Sequence, residues 1–191
     1  FNGEEIKKFH LSEVVSQINP KAKVIPILSS TAGAVCTSLM AVDFINNDEP
    51  LVILNGDELL DINYGEVLSF FNNNNFDAGV IVFDSVHPRY SYVRLDESGF
   101  VVEAAEKNPI SRHATVGFYW YQKGKNFVES AMNSIKKQAL RNPPYFVCPV
   151  FNELVLKGQK IGTYQIDKSS YMPLKNKQQL VEFQARIGRS L

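Results

Sequence analysis

Two aspartates follow apolar segments of the sequence and could bind a metal ion. Asp57 comes shortly after the run 50–55 (PLVILN), and Asp167 comes directly after the segment 160–166 (KIGTYQI). In open α/β sheets, ligands bind beyond the carboxyl ends of the strands. Mg²⁺ prefers oxygen ligands and often bridges a protein carboxylate to substrate phosphates. The spacing alone leaves open the alternative that both aspartates form turns or cap helices.

A segment of small residues at positions 29–35 (SSTAGAV) could bring its backbone close to a ligand. Small side chains permit such an approach, and the start of a following helix offers free N–H groups and the positive end of its dipole. The segment is not a P-loop, because no Gly-Lys-Ser or Gly-Lys-Thr follows. Taken alone, it favours the plainer alternative of a capped, closely packed helix start.

An acid and a base stand side by side at the end of the segment 103–109 (EAAEKNP). Glu106 could accept hydrogen bonds from sugar hydroxyls, and Lys107 could hold a phosphate as a point charge. The alternative is a solvated surface pair, which contributes little to stability.

Composition excludes several classes of function. Twenty Lys and Arg residues balance twenty Asp and Glu residues. Since duplex binding needs an excess of cations, no nucleic-acid partner is predicted. Cys36 and Cys148 form no Cys-x-x-Cys pair, so neither a zinc site nor a disulfide framework is indicated. His10, His87 and His113 have no ligand-like spacing, and no Ser-His-Asp or Cys-His constellation is predicted. No apolar run approaches the ~20 residues of a membrane span, so we expect a cytoplasmic protein.

Apolar periodicity predicts that helices and strands alternate in the first half of the chain. Helices are predicted at 4–17, 32–46 and 63–72, and strands at 23–28, 50–55 and 77–83. A continuous apolar run such as 50–55 is typical of a strand buried in a parallel sheet. The alternation predicts an α/β protein with a mostly parallel, mixed sheet flanked by helices.

The second half of the chain has a different pattern. Strands at 90–95 and 100–105 are joined by the turn residues 96–99 (DESG), which predicts a β-hairpin. The remaining predicted elements are an aromatic strand at 114–121, helices at 125–138 and 147–157, a strand at 160–166 and a helix at 176–187. No repeat or linker interrupts the chain, so we predict a single domain over residues 1–191.

Five motifs stand along the chain in a recognisable order. They are 30–35 (STAGAV), 51–58 (LVILNGDE), 106–109 (EKNP) after the hairpin, 115–121 (TVGFYWY) and 164–167 (YQID). Together they resemble the sugar-phosphate nucleotidyltransferases, of which glucose-1-phosphate thymidylyltransferase is a familiar member. The segment 87–111 looks most like the branch found in bacterial capsule and surface-polysaccharide clusters. The resemblance implies a Rossmann-like, GT-A-type sheet with a β-hairpin insertion for the sugar pocket.

The resemblance also implies a reaction and a cofactor. A nucleoside triphosphate (NTP) and a sugar 1-phosphate would give a nucleoside-diphosphate (NDP) sugar and pyrophosphate, with Mg²⁺. Asp57 matches the metal-binding aspartate of the family's Gly-Asp motif, and Asp167 matches the second metal aspartate. The expected partners are the two substrates and, by family analogy, further copies of the chain in a homo-oligomer.

The same resemblance assigns the substrate contacts. Glu106 matches a glutamate that meets sugar hydroxyls, and Lys107 matches a lysine that meets the sugar phosphate. Gly117 matches the glycine of a strand beside the sugar pocket. Lys107 and Asp57 are therefore the expected catalytic residues. The loop expected to lie against the nucleoside consists of Thr31, Ala32 and Gly33.

The sequence departs from the family pattern at several points. The opening motif, a glycine-rich loop with an Arg and then Pro-Lys, is not among these residues. We therefore expect a domain that lacks its first βα(β) unit, ~30 residues or more, and an inactive chain as given. Ser91 replaces a glycine in the sugar-contacting strand, and Lys168-Ser169 replaces the Gly-Thr that often follows the second metal aspartate.

Two other functions stay open at this point. The first is a non-catalytic domain that binds a nucleotide sugar or acts as a regulatory subunit. The second is a glycosyltransferase with a similar sheet, which the lack of an Asp-x-Asp motif disfavours.

Overall fold

The computed structural model describes residues 1–138 and 144–187. Its helices are α1 (Gly3–Lys8), α2 (Leu11–Ile18), α3 (Ala34–Leu39), α4 (Val42–Ile45), α5 (Tyr64–Asn73), α6 (Gly124–Gln138), α7 (Phe151–Leu156) and α8 (Lys177–Ile187). Its strands are β1 (Leu51–Leu54), β2 (Glu58–Leu60), β3 (Ala78–Asp84), β4 (Ser91–Leu95), β5 (Val101–Glu106), β6 (His113–Tyr121), β7 (Ile161–Gln165) and β8 (Tyr171–Pro173). Short 3₁₀ turns span Cys148–Val150 and Lys168–Ser170.

Strand β6 lies inside a six-stranded sheet. It is antiparallel to β3 along one edge and to β1 and β4 along the other. The β4–β5 hairpin extends the sheet on one side, and β7 extends it on the other, parallel to β3. The α/β fold with a mixed sheet, flanking helices and a hairpin is confirmed. Its neighbouring strands are mostly antiparallel rather than mostly parallel, because no helix connects β4 to β5 or β5 to β6, and a parallel pair needs a crossover.

Helices pack on both faces of this sheet. On one face, Val82 of β3 belongs to an apolar cluster that contains Phe127 of α6. On the other face, Phe83 belongs to a cluster with Phe71 of α5, whose ring stacks on Trp120 of β6 at 5.4 Å between centroids. Burial on both faces explains the continuous apolar runs in these strands. The sheet therefore forms a well-packed frame for the residues at its strand ends.

A second, two-stranded sheet was not predicted. Strands β2 and β8 pair antiparallel, with Leu60 opposite Tyr171. The backbone N–H of Leu174 donates to the carbonyl of Asp57 at 2.7 Å and extends this pairing. Each strand has three residues, which is too short for an apolar alternation to be recognised in the sequence. This small sheet holds the segment after β7 against the turn after β1.

The amino-terminal region differs most from its prediction. The helix predicted at 4–17 is divided into α1 and α2, because His10 adopts a left-handed conformation with φ 51°. The helix predicted at 32–46 is likewise divided into α3 and α4. The strand predicted at 23–28 is reduced to a single parallel bridge between Asn2 and Ile27. Pro26 lacks the N–H group that a strand would use for pairing.

The helix predicted at 147–157 begins as a 3₁₀ turn that contains Pro149 and continues as α7. None of the helices within residues 1–138 and 144–187 has the length and apolar character needed to cross a membrane.

Candidate active site

A cavity of about 330 Å³ lies at the carboxyl end of β1. The turn between β1 and β2 forms one wall, and strands β4, β5 and β6 contribute residues to the floor. Tyr171 of β8 and Lys175 also line the cavity, beside this turn. Four of the site residues predicted from the sequence line this cavity. They are Asp57, Glu106, Lys107 and Gly117. These residues come from separate parts of the chain, and the sheet alone makes them neighbours.

Asp57 presents a half-exposed carboxylate at the rim of the cavity. Its Oδ2 atom lies 3.7 Å from the Nζ of Lys175, and the two side chains are 52% and 50% exposed. Exposure of this degree keeps the pair well solvated, so the pair contributes little to stability. The carboxylate is therefore available to a cation or to a ligand entering the cavity.

Glu58 is a partly buried carboxylate beside Asp57 that the sequence analysis did not select. Its Oε1 accepts a hydrogen bond from the backbone N–H of Gly117, and its Oε2 accepts one from the Tyr171 hydroxyl at 3.2 Å. Burial raises the pKa of Glu58, although the bond from Gly117 opposes this shift. The residue ties the second sheet to β6 and so fixes the wall on which Asp57 stands. Because β2 was not predicted, no sequence pattern pointed to this contact.

Glu106 is a second partly buried carboxylate, on the floor of the cavity. It lies opposite Ser91 in the β4–β5 pairing, and the Ser91 hydroxyl donates a hydrogen bond to its Oε2. Burial raises the pKa of Glu106, while the hydrogen bond from Ser91 and the charges of Lys107 and Lys175 act in the opposite direction. Ser91, which departs from the family pattern, therefore already occupies one acceptor oxygen of this carboxylate.

The raised pKa of Glu106 predicts a pH-dependent effect on stability. The stability that this group contributes is fully present below its ordinary pKa of 4.5 and is lost as the pH rises through its higher folded-state pKa. Glu106→Gln removes the titration, so we expect the variant to gain stability relative to the wild type as the pH rises. Urea unfolding of both proteins from about pH 4 to about pH 8 measures this difference. Glu97→Gln, in the exposed hairpin turn, is the control, and a pH-independent difference for Glu106→Gln would contradict the prediction.

Lys107 adopts an uncommon backbone conformation next to Glu106. Its φ is 52°, in the left-handed region that few residues other than glycine adopt. Its Nζ lies 5.1 Å from the centre of the Phe146 ring, which also lines the cavity. Within the described part of the chain, no carboxylate lies within ion-pair distance of this ammonium group. Lys107 can therefore offer its charge to an anionic ligand.

Gly117 lines the cavity, and its lack of a side chain leaves room for two neighbouring side chains. A Cβ atom at this position would lie closer than 3.0 Å to the side chains of Asn55 and Glu58, a distance that real Cβ atoms essentially never show. The Gly117 carbonyl accepts a hydrogen bond from the Asn55 N–H at 2.8 Å. The missing side chain is thus required by protein contacts, whether or not a sugar also approaches this strand.

The predicted nucleoside loop borders the cavity without lining it. Of this segment, Ala34 reaches the cavity wall, whereas Thr31, Ala32 and Gly33 do not. The Ala32 carbonyl accepts from the Tyr145 N–H at 2.7 Å, and the Thr31 hydroxyl donates to the Gly33 carbonyl at 3.2 Å. A nucleoside contact by this loop stays a prediction.

Asp167 is not brought into the cavity. Its Oδ1 accepts a hydrogen bond from the Ser169 N–H at 2.7 Å and caps the 3₁₀ turn that follows. Hydrogen bonds from Ser169 hold the pKa of this exposed carboxyl below its ordinary value. This geometry agrees with the alternative prediction that Asp167 caps a turn or helix. The role of Asp167 as a second metal ligand stays a prediction.

Cys148 lies behind the cavity floor and is fully buried. Burial raises the pKa of its thiol to about 12, so the side chain is a neutral filler at physiological pH. Cys36 is only partly buried, and both cysteines are free.

The comparisons with known proteins agree with this architecture. A model of the family described as Nucleotidyl transferase matches residues 3–167. The chain therefore belongs to the nucleotidyl transferase family, as the five sequence motifs indicated.

Two curated relatives are similar to part of the chain. The chain is 33% identical over 104 residues to a glucose-1-phosphate adenylyltransferase from Acetivibrio thermocellus, a match that covers 52% of this chain and 24% of that protein. It is 35% identical over 83 residues to the enzyme of the same name from Clostridium acetobutylicum, covering 40% of this chain and 22% of the relative. The matched region thus spans about a quarter of the length of these curated relatives.

A solved structure shows the same fold. It is a nucleoside-diphosphate-sugar pyrophosphorylase from Vibrio cholerae RC9, with a TM-score of 0.80 at 17% identity. The superposition covers 95% of this chain and 77% of that one.

Proposed function

We propose that the protein transfers a nucleotidyl group from an NTP to a sugar 1-phosphate. One observation carries the proposal: Asp57, Glu106 and Lys107 share one cavity at a strand end, although two of them lie about fifty positions from the third along the chain. An acceptor for hydroxyls, a cation for phosphate and a half-exposed carboxylate are the groups that this reaction needs. Family membership supports the same conclusion.

The proposed reaction is an in-line displacement at phosphorus. A phosphate oxygen of the sugar 1-phosphate attacks the α-phosphorus, a new P–O bond forms, and the bond to the β-phosphate oxygen breaks. Pyrophosphate leaves with that electron pair. No general base is required, because the attacking phosphate is already ionised. Lys107 would hold the attacking phosphate and Glu106 would orient the sugar ring, so that the protein contributes mainly position and charge.

The residues of the cavity fit a Mg²⁺ ion held largely by substrate. Among the residues that the structure describes, no three acidic, histidine or cysteine side chains form a metal cluster. Mg²⁺ commonly binds through one or two carboxylates, with substrate phosphates and water as its other ligands. The half-exposed Asp57 carboxylate would supply the protein ligand. When bound, the ion would neutralise charge on the α-phosphate.

Replacing Lys107 with alanine should mainly weaken binding of the sugar 1-phosphate. Loss of one charge-assisted phosphate contact corresponds to an increase of about tenfold or more in KM. Alanine and lysine both carry a Cβ atom, so the unusual backbone conformation is equally demanding in both proteins. Steady-state kinetics with varied sugar 1-phosphate measures the effect. Lys107→Arg retains the charge, Lys21→Ala removes an exposed cation outside the cavity, and unchanged KM together with unchanged kcat would refute the assignment.

Pyrophosphate release tests the proposed reaction directly. The protein, as its gene encodes it in full, is incubated with Mg²⁺, each of the common NTPs and a panel of sugar 1-phosphates. Release with one pair would establish the reaction and identify both substrates. Release that needs no sugar phosphate would indicate simple NTP hydrolysis instead. A folded protein that binds nucleotide in calorimetry but releases no pyrophosphate would favour the non-catalytic binding domain.

We infer a narrower role from the likeness of residues 87–111 to the capsule branch. The product would be an activated sugar for capsule or surface polysaccharide, made in the cytoplasm. We also propose that the enzyme forms a homo-oligomer, which light scattering would detect. Accumulation of the NDP-sugar in cells that produce the protein, and its loss on deletion of the gene, would test this role.

A further inference from the structure

Lys175 stands in the cavity although it lies outside the segment that matches the family. The match ends at residue 167, and the cavity wall formed by Tyr171 and Lys175 comes from the chain beyond it. The position of Lys175 is fixed on both sides. The preceding Leu174 N–H donates to the Asp57 carbonyl at 2.7 Å, and the Lys175 N–H donates to the Gln179 side chain at 2.8 Å.

The ammonium group of Lys175 faces a strongly acidic part of the cavity. It lies 3.7 Å from the Asp57 carboxylate, and its charge also acts on Glu58 and Glu106. Glu58 is already committed to Gly117 and Tyr171, and Glu106 accepts from Ser91. Asp57 is therefore the only described acid that pairs with Lys175, and the separation of 3.7 Å is longer than a hydrogen bond.

We propose that Lys175 is a phosphate-binding residue of this site, which contacts the phosphoryl oxygens of a substrate or of pyrophosphate held beside Asp57. Which phosphate compound binds here rests on the proposed function. The contact itself, between Lys175 and a phosphate, is argued from the geometry alone. A lysine ammonium has three donors on a flexible stem, so it can turn from Asp57 to an incoming anion without a backbone change. A cation supplied here would balance charge beside Asp57, in addition to the charge of Lys107.

Binding of inorganic pyrophosphate tests this role without turnover. The full chain is titrated by calorimetry with pyrophosphate, in the presence of Mg²⁺ and in the presence of a chelator. Lys175→Ala should weaken binding by about tenfold or more under both conditions, and Lys175→Arg should retain most of the affinity. Lys177→Ala, which removes an exposed lysine two positions further on, should bind like the wild type.

A mere counter-ion for Asp57 would behave differently. Its removal would strengthen Mg²⁺ binding and leave pyrophosphate affinity unchanged, which would overturn the proposal. Equal losses in the Lys175→Ala and Lys177→Ala variants would also overturn it, since they would indicate a diffuse charge effect. So would a wild-type protein that binds no pyrophosphate. If pyrophosphate binding depends on Lys175 but the protein makes no NDP-sugar, the proposed function is refuted and this inference is retained. If Lys175→Ala turns over like the wild type, this inference is refuted and the proposed function is retained.

Discussion

Asp57→Asn should reduce Mg²⁺-dependent turnover by at least about a hundredfold, which corresponds to about 2.7 kcal/mol in the activation barrier. Asparagine keeps the shape of the side chain and removes its charge, so the variant would lose the proposed metal ligand without a change in packing. The backbone carbonyl of Asp57, which accepts from the Leu174 N–H, is unaffected. The carboxylate is half-exposed and its pair with Lys175 is long, so thermal unfolding should shift little. Pyrophosphate release and a thermal melt measure the two effects.

Two further variants make this experiment specific. Asp43→Asn removes an exposed acid on α4 and is expected to leave turnover unchanged. Asp167→Asn tests the second predicted ligand, whose carboxylate caps a 3₁₀ turn outside the cavity. A fall in turnover comparable to that of Asp57→Asn would support a shared metal site, whereas a loss of stability alone would support the capping role. Retention of more than about a tenth of the wild-type turnover by Asp57→Asn would refute its role as a metal ligand.

The sequence predicted the secondary structure well where an apolar pattern extends over many residues. Strand β3 and helix α6 lie within a residue or two of their predicted positions, because each buries a continuous or repeating apolar pattern against a large cluster. The carboxyl end of β1 and the end of the hairpin were also predicted. Asp57, Glu106 and Lys107 could therefore be selected, since ligands bind where strands end.

The misses around the cavity share a physical cause, which is that they depend on contacts between distant short segments. Strands β2 and β8 pair across more than a hundred positions, and neither has a pattern of its own. Glu58 and Lys175 are placed in the cavity by that pairing, so no local reading could find them. The sheet directions follow the same rule, because pairing across β6 is decided by connections rather than by composition.

Gly117→Ala should destabilise the protein and disturb the cavity together. The new methyl group would overlap the side chains of Asn55 and Glu58. The Glu58 carboxylate is held in place, because it accepts from the Gly117 N–H and the Tyr171 hydroxyl. The backbone of Asn55 is held by the bond from its N–H to the Gly117 carbonyl. Overpacking of this kind costs about 1–3 kcal/mol, which lowers the melting temperature of a domain of this size by roughly 2–12 °C.

Gly56→Ala is the matched control, because a Cβ atom there meets nothing within 4 Å. Both variants add one methyl group to the same cavity, so a difference in melting temperature between them reports the overlap at Gly117 rather than the loss of a glycine. Equal melting temperatures would show that Asn55 and Glu58 can move aside, and the glycine would then have to be explained by the ligand. A loss of stability in Gly117→Ala alone would instead show that this glycine is needed for the contact between β6 and the wall that carries Asp57. The position would be required to build the site before any sugar is bound.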